Sequence, residues 1–298
     1  MNSPTGGVRV LPPEELLVER ARDYLAAGPA TSSELVDRVL QSPGVPAVVA
    51  DHLARTLLLA HREFTLGSDG RWRLAAAPAT HAASPEPLDA LSYVVVDVET
   101  TGGRATGGDR VTEIAAVVVE RGQVVERFDT LVNPGRSIPP WITSITNITW
   151  DMVRDAPRFS DVCERVTSML DGRVFVAHNA SFDWGFVSAE VERASGQRLE
   201  GRRLCTVRLA RKILPQLPRR SLDHVTRHYG IEIEARHRAA GDAIATAEVL
   251  RRLLRDAADR GCTTWDQLEG LLAGGTGAAR RRRRSALPAP VRGAEDGR

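Results

Sequence analysis

Apolar and polar positions change period along the chain, and the changes divide it. Residues 1–76 show helix-like apolar spacing over 13–27, 31–41 and 46–61. Thr31-Ser32-Ser33-Glu34 sets an acidic residue three positions after a hydroxyl, a capping box that starts the second of these helices. Residues 63–66 and 71–74 then switch to strand-like runs around Gly67-Ser68-Asp69-Gly70, a turn that predicts a hairpin. Three helices and a hairpin predict a small winged-helix-like domain over 1–76. The Ala/Pro/Ser-rich stretch that follows has no apolar period and predicts a linker at 77–90.

Beyond it the pattern alternates. Residues 92–98, 111–120 and 123–133 form three apolar strand-like runs, and Arg121-Gly122 is the turn between the last two, so an antiparallel meander is expected. A helix over 159–171 precedes a fourth buried strand at 174–177. Helices follow at 182–196, 206–214, 221–228 and 240–258. The expected architecture is α/β, a mixed sheet with helices on both faces, in a domain spanning 91–258. Residues 259–298 predict one short helix around 267–272 and then a Gly/Ala/Arg/Pro-rich disordered tail.

Charge refines this picture only slightly. The net charge of the 298 residues is +2, but residues 275–298 alone carry +5, leaving the rest slightly acidic. Bulk charge therefore does not announce a nucleic-acid binder, although a carboxylate-rich metal site would itself add negative charge. Residues 1–86 hold eight Arg against ten acidic residues, so the N-terminal section suits a structural or protein-docking role better than DNA contact. No apolar run is long enough to span a membrane, and no basic-then-apolar leader opens the chain; cytoplasmic localisation is the default expectation. Three scattered cysteines, Cys163, Cys205 and Cys262, argue against a disulfide framework or a zinc site.

The candidate chemistry sits at the edges of the predicted elements. The strand ending Val96-Asp97-Val98-Glu99 carries two carboxylates at i and i+2, which places both on one face of the strand. Two like charges there are unfavourable unless a cation bridges them, and oxygen donors suit Mg²⁺ or Mn²⁺. A salt bridge to a nearby arginine is the plainer alternative. Val174 to Ala177 runs into the polar turn His178-Asn179-Ala180-Ser181 and then Phe182-Asp183, where Asp183 either joins the same crevice or caps a helix. His237 lies in a loop, and Asp242 follows five residues later at the start of an apolar-periodic helix.

Together, Asp-x-Glu, Asp and His-x4-Asp resemble the DEDDh 3′–5′ exonucleases, the DnaQ-like family that includes the proofreading subunit of bacterial replicative DNA polymerase. The resemblance covers about 92–256 and extends to Leu131-Val132-Asn133-Pro134-Gly135, Ile138-Pro139-Pro140 and Ile145-Thr146-Asn147-Ile148-Thr149. It implies a ribonuclease H-like fold with a five-stranded sheet. It also implies that Asp97, Glu99, Asp183 and Asp242 hold two divalent cations and that His237 is the general base. Thr100, Thr101, Gly102, Ile145, His178, Asn179 and Phe182 are implied near the terminal nucleotide. The implied substrates are DNA 3′ ends, with RNA as the alternative, and a DNA polymerase or another replication or repair protein is a candidate partner. A reading from another class stays open: a binding or regulatory module built on a silenced nuclease fold.

Overall fold

The computed structural model describes residues 6–75, 85–234 and 236–274. Its N-terminal section contains β1 (Arg9–Leu11), α1 (Pro13–Ala26), β2 (Ala30–Thr31), α2 (Ser32–Val39), α3 (Ala47–Leu58), β3 (Phe64–Leu66) and β4 (Arg71–Leu74). The expected capping box starts α2: Thr31 Oγ1 accepts the Glu34 N–H at 3.2 Å, and the Glu34 carboxylate accepts the Thr31 N–H at 2.7 Å. Two orphan N–H groups at the helix start are thereby satisfied. β3 and β4 pair antiparallel, and β2 joins the other edge of β4. Leu25, Leu35, Val39, Leu58, Phe64 and Trp72 form a small core between this sheet and the helices. The fully buried Trp72 donates its indole N–H to Ser32 Oγ at 3.1 Å, which satisfies the one polar atom its burial would strand.

The larger unit comprises β5 (Ser92–Thr100), β6 (Val111–Glu120), β7 (Gln123–Leu131), α4 (Pro140–Thr146), α5 (Trp150–Val153), α6 (Phe159–Leu170), β8 (Val174–Ala177), α7 (Ala180–Ser195), β9 (Arg198–Glu200), β10 (Arg203–Cys205), α8 (Thr206–Ile213), α9 (Leu222–Tyr229), α10 (Ala239–Ala258) and α11 (Trp265–Ala273). Five strands make one mixed sheet in the order β10-β8-β5-β6-β7. β5, β6 and β7 form the expected antiparallel meander, while β8 runs parallel to β5 and β10 parallel to β8. Alternation along β5 divides the core. Tyr93 and Val95 pack with α8, α9 and α10 on one face, and Val94, Val96 and Val98 pack with α6 and α7 on the other. Each such buried aliphatic side chain contributes about 1.5–3 kcal/mol relative to exposure.

The structure moves several expected boundaries and adds elements. The third meander strand stops at Leu131 rather than 133, and α7 begins at Ala180, two residues early. β10, the fifth strand, is three residues long, too short to display a period. β1 was not expected either. It pairs antiparallel with β9 of the larger unit, Val10 opposite Leu199. Just before it, Val8 donates its N–H to the Arg173 carbonyl at 2.7 Å and accepts from Gly172 at 2.8 Å. Gly7 permits this approach, since a Cβ there would lie 2.2 Å from the Gly172 carbonyl carbon. Of the expected linker, residues 77–84 lie outside the described residues. Pro87 bridges to Thr264, and Leu88 donates its N–H to the Thr263 carbonyl at 2.8 Å. The arginine-rich tail also lies outside the described residues. No helix among the described residues is long and apolar enough to cross a membrane.

Candidate active site

Strand alternation turns Asp97 and Glu99 toward the sheet face covered by α10, whose first turn carries Asp242. One ligand atom from each of Asp97, Glu99 and Asp242 lies within 4.8 Å of the other two. Asp183 arrives from the opposite layer. It sits in the first turn of α7, buried, and its Oδ1 accepts the Val98 N–H at 3.2 Å. The turn before it passes through Asn179 at φ +86°, a left-handed conformation that Asn tolerates better than most residues. The order Asp-x-Glu, Asp, Asp thus converges from one strand and two helices on the end of β5.

The electrostatics follow from this crowding. Burial, then the charges of Asp183, Asp242 and Glu99, push the Asp97 carboxyl well above the usual range. Burial, then Asp242 and Glu113, push Glu99 up to about 8. Burial raises Asp183 to about 7 despite the backbone N–H groups that oppose the shift. Asp242 is raised by burial, against the lowering influence of the Arg236 guanidinium. Asp242 Oδ1 is buried with no hydrogen-bond partner. A cluster of hard oxygen donors, shifted toward the protonated form by burial first and, at Asp97 and Glu99, by neighbouring carboxylates, and containing an orphaned lone-pair atom, fits a divalent cation.

The loop before α10 completes the surroundings. His237 is exposed and adopts φ +61°, strained for a residue with a Cβ, while its N–H donates to Asp242 Oδ2 at 3.3 Å. Its neighbours were missed from the sequence. Arg236 pairs with Asp242 Oδ2 and donates through Nε to Asp223 at 2.7 Å. Arg238 donates to the buried Glu113 through Nε at 3.1 Å and Nη2 at 2.7 Å, and Ala239 adds its N–H at 2.9 Å. Glu113 thereby ties the His237 loop and the start of α10 to β6. A signal was present: Glu113 is the one carboxylate inside the apolar run Val111–Val119.

The expected nucleotide-side residues divide. Thr100 Oγ1 donates to the Gly102 carbonyl at 2.6 Å, and Thr101 Oγ1 accepts the Arg110 N–H at 3.0 Å, so both hydroxyls brace the turn after β5. A Cβ on Gly102 would lie 2.4 Å from an Asp109 side-chain oxygen, so a larger residue there would have to displace the Asp109 carboxylate. His178 is engaged at both ring nitrogens, Nδ1 with Thr206 Oγ1 at 2.8 Å and Nε2 with the Arg220 carbonyl at 2.9 Å. Because Arg220 O can only accept, Nε2 carries the proton and Nδ1 accepts from the hydroxyl. Burial lowers this imidazole to about 4, so it is neutral near pH 7. Asn179 lies at the head of α7 and Phe182 is half-buried, 4.9 Å from the Phe186 ring centroid. Ile145 is exposed on α4.

With this geometry in place, the relationships of the chain are informative. The exonuclease family model, RNase T, matches residues 94–250, just over half of the chain. The chain therefore belongs to the exonuclease family. A DNA polymerase III subunit epsilon-like protein of Rhodobacter capsulatus is 45% identical over 188 residues, covering 62% of this chain and 27% of that protein. The 3′-5′ exonuclease DinG of Bacillus subtilis is 40% identical over 162 residues, covering 54% of this chain and 17% of that protein. The chain thus spans well under half the length of these relatives. Escherichia coli exonuclease I, solved with a dT13 oligonucleotide, superimposes with a TM-score of 0.50 at 20% identity over 57% of this chain and 42% of that one, a likeness of fold alone.

Proposed function

We propose that this chain is a metal-dependent 3′–5′ exonuclease that hydrolyses DNA 3′ ends, single-stranded or frayed, to nucleoside 5′-monophosphates in proofreading or repair. The observation that carries the reading is the cage of Asp97, Glu99 and Asp242, with Asp183 beside it and Asp242 Oδ1 left without a partner. A fold silenced as a nuclease has no reason to retain four crowded carboxylates, two of them buried and two half-buried, since such a cluster costs stability unless a cation is bound. The relatives named for DNA polymerase III epsilon and DinG support DNA as the substrate and a replication or repair protein as the partner.

In this reading Asp97, Glu99, Asp183 and Asp242 hold two divalent cations, Mg²⁺ or Mn²⁺. Bound cations would supply Lewis acidity toward the attacking water and the leaving 3′ oxygen. His237, exposed at the mouth of the cage, takes the proton of the attacking water at an imidazole nitrogen. The water oxygen bonds to phosphorus as the phosphorus–O3′ bond breaks; the terminal nucleotide leaves as a 5′-monophosphate, and the 3′ oxygen of the shortened strand takes a proton from solvent to become a hydroxyl. Glu113 holds the His237 loop and α10 in register through Arg238 and Ala239. Ile145 and Phe182 supply apolar surface for the terminal base, and the Thr100–Gly102 turn keeps the backbone close to it.

The test is digestion of a 5′-labelled single-stranded DNA with Mg²⁺, with Mn²⁺ and with EDTA, beside a matched RNA. A metal-dependent ladder that shortens from the 3′ end of DNA is expected. A ladder on RNA alone would replace DNA by RNA as substrate, and no ladder on either would sink the nuclease reading.

A further inference from the structure

Asn179 and the first residues of α7, Ala180 and Ser181, which precede Asp183, also line a cleft of about 1350 Å³. Arg203 of β10, Arg208 and Arg211 of α8, the N-terminal segment around Gly6 to Leu11 and Trp265 of α11 also line it. Arg208 and Arg211 are exposed one turn apart on the same face of α8, and neither meets a carboxylate among the described residues. Arg203 stacks over the Trp184 ring at 5.0 Å, which fixes its guanidinium without neutralising it. The acidic groups of the cleft, Glu15, Asp171, Glu200 and Glu269, come from α1, the turn before β8, β9 and α11. Every charged residue that α8 and β10 bring to the cleft is therefore basic, and the cleft lining reaches Ser181, two residues before Asp183.

We propose that this wall carries the sugar–phosphate backbone of the substrate strand behind its 3′ end, with Arg203, Arg208 and Arg211 as phosphate contacts. The inference rests on the exonuclease reading and extends it to the path of the strand. A groove that tracks the backbone with guanidinium groups and leaves the bases unread binds single strands without sequence preference. The N-terminal segment forms the facing wall, so the extension before the catalytic sheet takes part in holding the strand.

The experiment uses the full chain with Arg208→Glu and Arg211→Glu together, both on the solvent face of α8. Three quantities are read: binding of a fluorescein-labelled 15-nucleotide oligothymidylate in EDTA at several salt concentrations, KM on that oligonucleotide, and hydrolysis of the p-nitrophenyl ester of thymidine 5′-monophosphate. The ester ends at one nucleotide and carries no further backbone phosphate for Arg203, Arg208 and Arg211 to hold. Binding weakened by about tenfold or more is expected, with a salt slope reduced by about 1.4, since each single-strand phosphate contact contributes about 0.7. The KM rises in parallel while ester hydrolysis is unchanged. A milder pair, Arg208→Gln with Arg211→Gln, should lie between, and Arg208→Lys with Arg211→Lys should restore most of the affinity. Unchanged oligonucleotide binding and salt slope in the Glu pair would overturn the proposal. Failure of the unmodified chain to cleave the ester would count against the exonuclease reading instead, because binding in EDTA decides the cleft independently of catalysis.

Discussion

Glu99 and Glu113 face each other across β5 and β6, in register, two strand carboxylates with opposite surroundings. Glu113 receives the Arg238 guanidinium and the Ala239 N–H. Glu99 has no hydrogen-bond partner among the described residues, and burial, then the charges of Asp242, Glu113 and Asp183, lift its carboxyl to about 8. The fold can supply donors to a buried carboxylate, and it does so one strand away. Where it withholds them, the anionic group is available to a cation. The difference separates a carboxylate that holds the scaffold from carboxylates that hold chemistry.

Removing a member of the unpaired set should break this comparison most visibly. Asp97→Ala is expected to reduce turnover by at least about 10³-fold, equivalent to about 4 kcal/mol of barrier. The same change should leave the metal-free protein at least as stable, because it relieves repulsion; a clear fall in urea midpoint would mean that Asp97 is a structural partner. His237→Ala should lower turnover by about 100-fold while Mn²⁺ binding by calorimetry stays intact. Lost binding heat would reassign His237 from base to ligand.

The paired side predicts the reverse signature. Glu113→Ala leaves Arg238 and the Ala239 N–H without an acceptor and should cost about 1–3 kcal/mol of stability. Turnover should fall by about tenfold as α10 loosens, and Glu113→Gln should recover part of both. Equal stability in Glu113→Ala and the unmodified chain would show that the clamp is dispensable.

The smallest effect is that of pH on metal-free stability. Folded-state values raised to about 8 for Glu99 and about 7 for Asp183 favour the protonated groups. Their contribution is fully present below the unfolded carboxylate pKa, near about 4, and is lost as pH rises through 7 and 8. Tm in EDTA should therefore fall between pH 5.5 and 8.5. The rise in Tm on adding Mn²⁺ should grow over the same interval, since the ligands must deprotonate to bind. A metal-induced shift independent of pH would contradict the repulsive cage.

Much of this was legible in the sequence because period and chemistry coincide. The alternation of Val94 to Glu99 fixed which carboxylates share a face, and the apolar spacing of Ala243, Ala247, Leu250 and Leu254 put Asp242 at a helix start. What stayed hidden depends on contacts between distant segments. β10 and β1 are three residues each and have no readable period. His178 looks like a ligand-side residue because it follows a strand, but its partners lie 28 and 42 residues away. Arg236 and Arg238 flank a recognised histidine, and nothing in a composition rich in arginine sets them apart until Asp242 and Glu113 are seen beside them.

The docking of β1 has a consequence for the chain as a connected object. Residues 6–11 are knitted into the catalytic unit through Arg173, Gly172 and β9, and residues 86–88 are pinned to it again through Arg202, Thr263 and Thr264. The three-helix module is thus an insertion held at both ends, a loop with two feet on one base, rather than a bead on a string. A tether with two anchors confines the swing of what it carries. A truncation that starts after the module would also strip away an edge strand and uncover the site that Val8, fully buried, now fills.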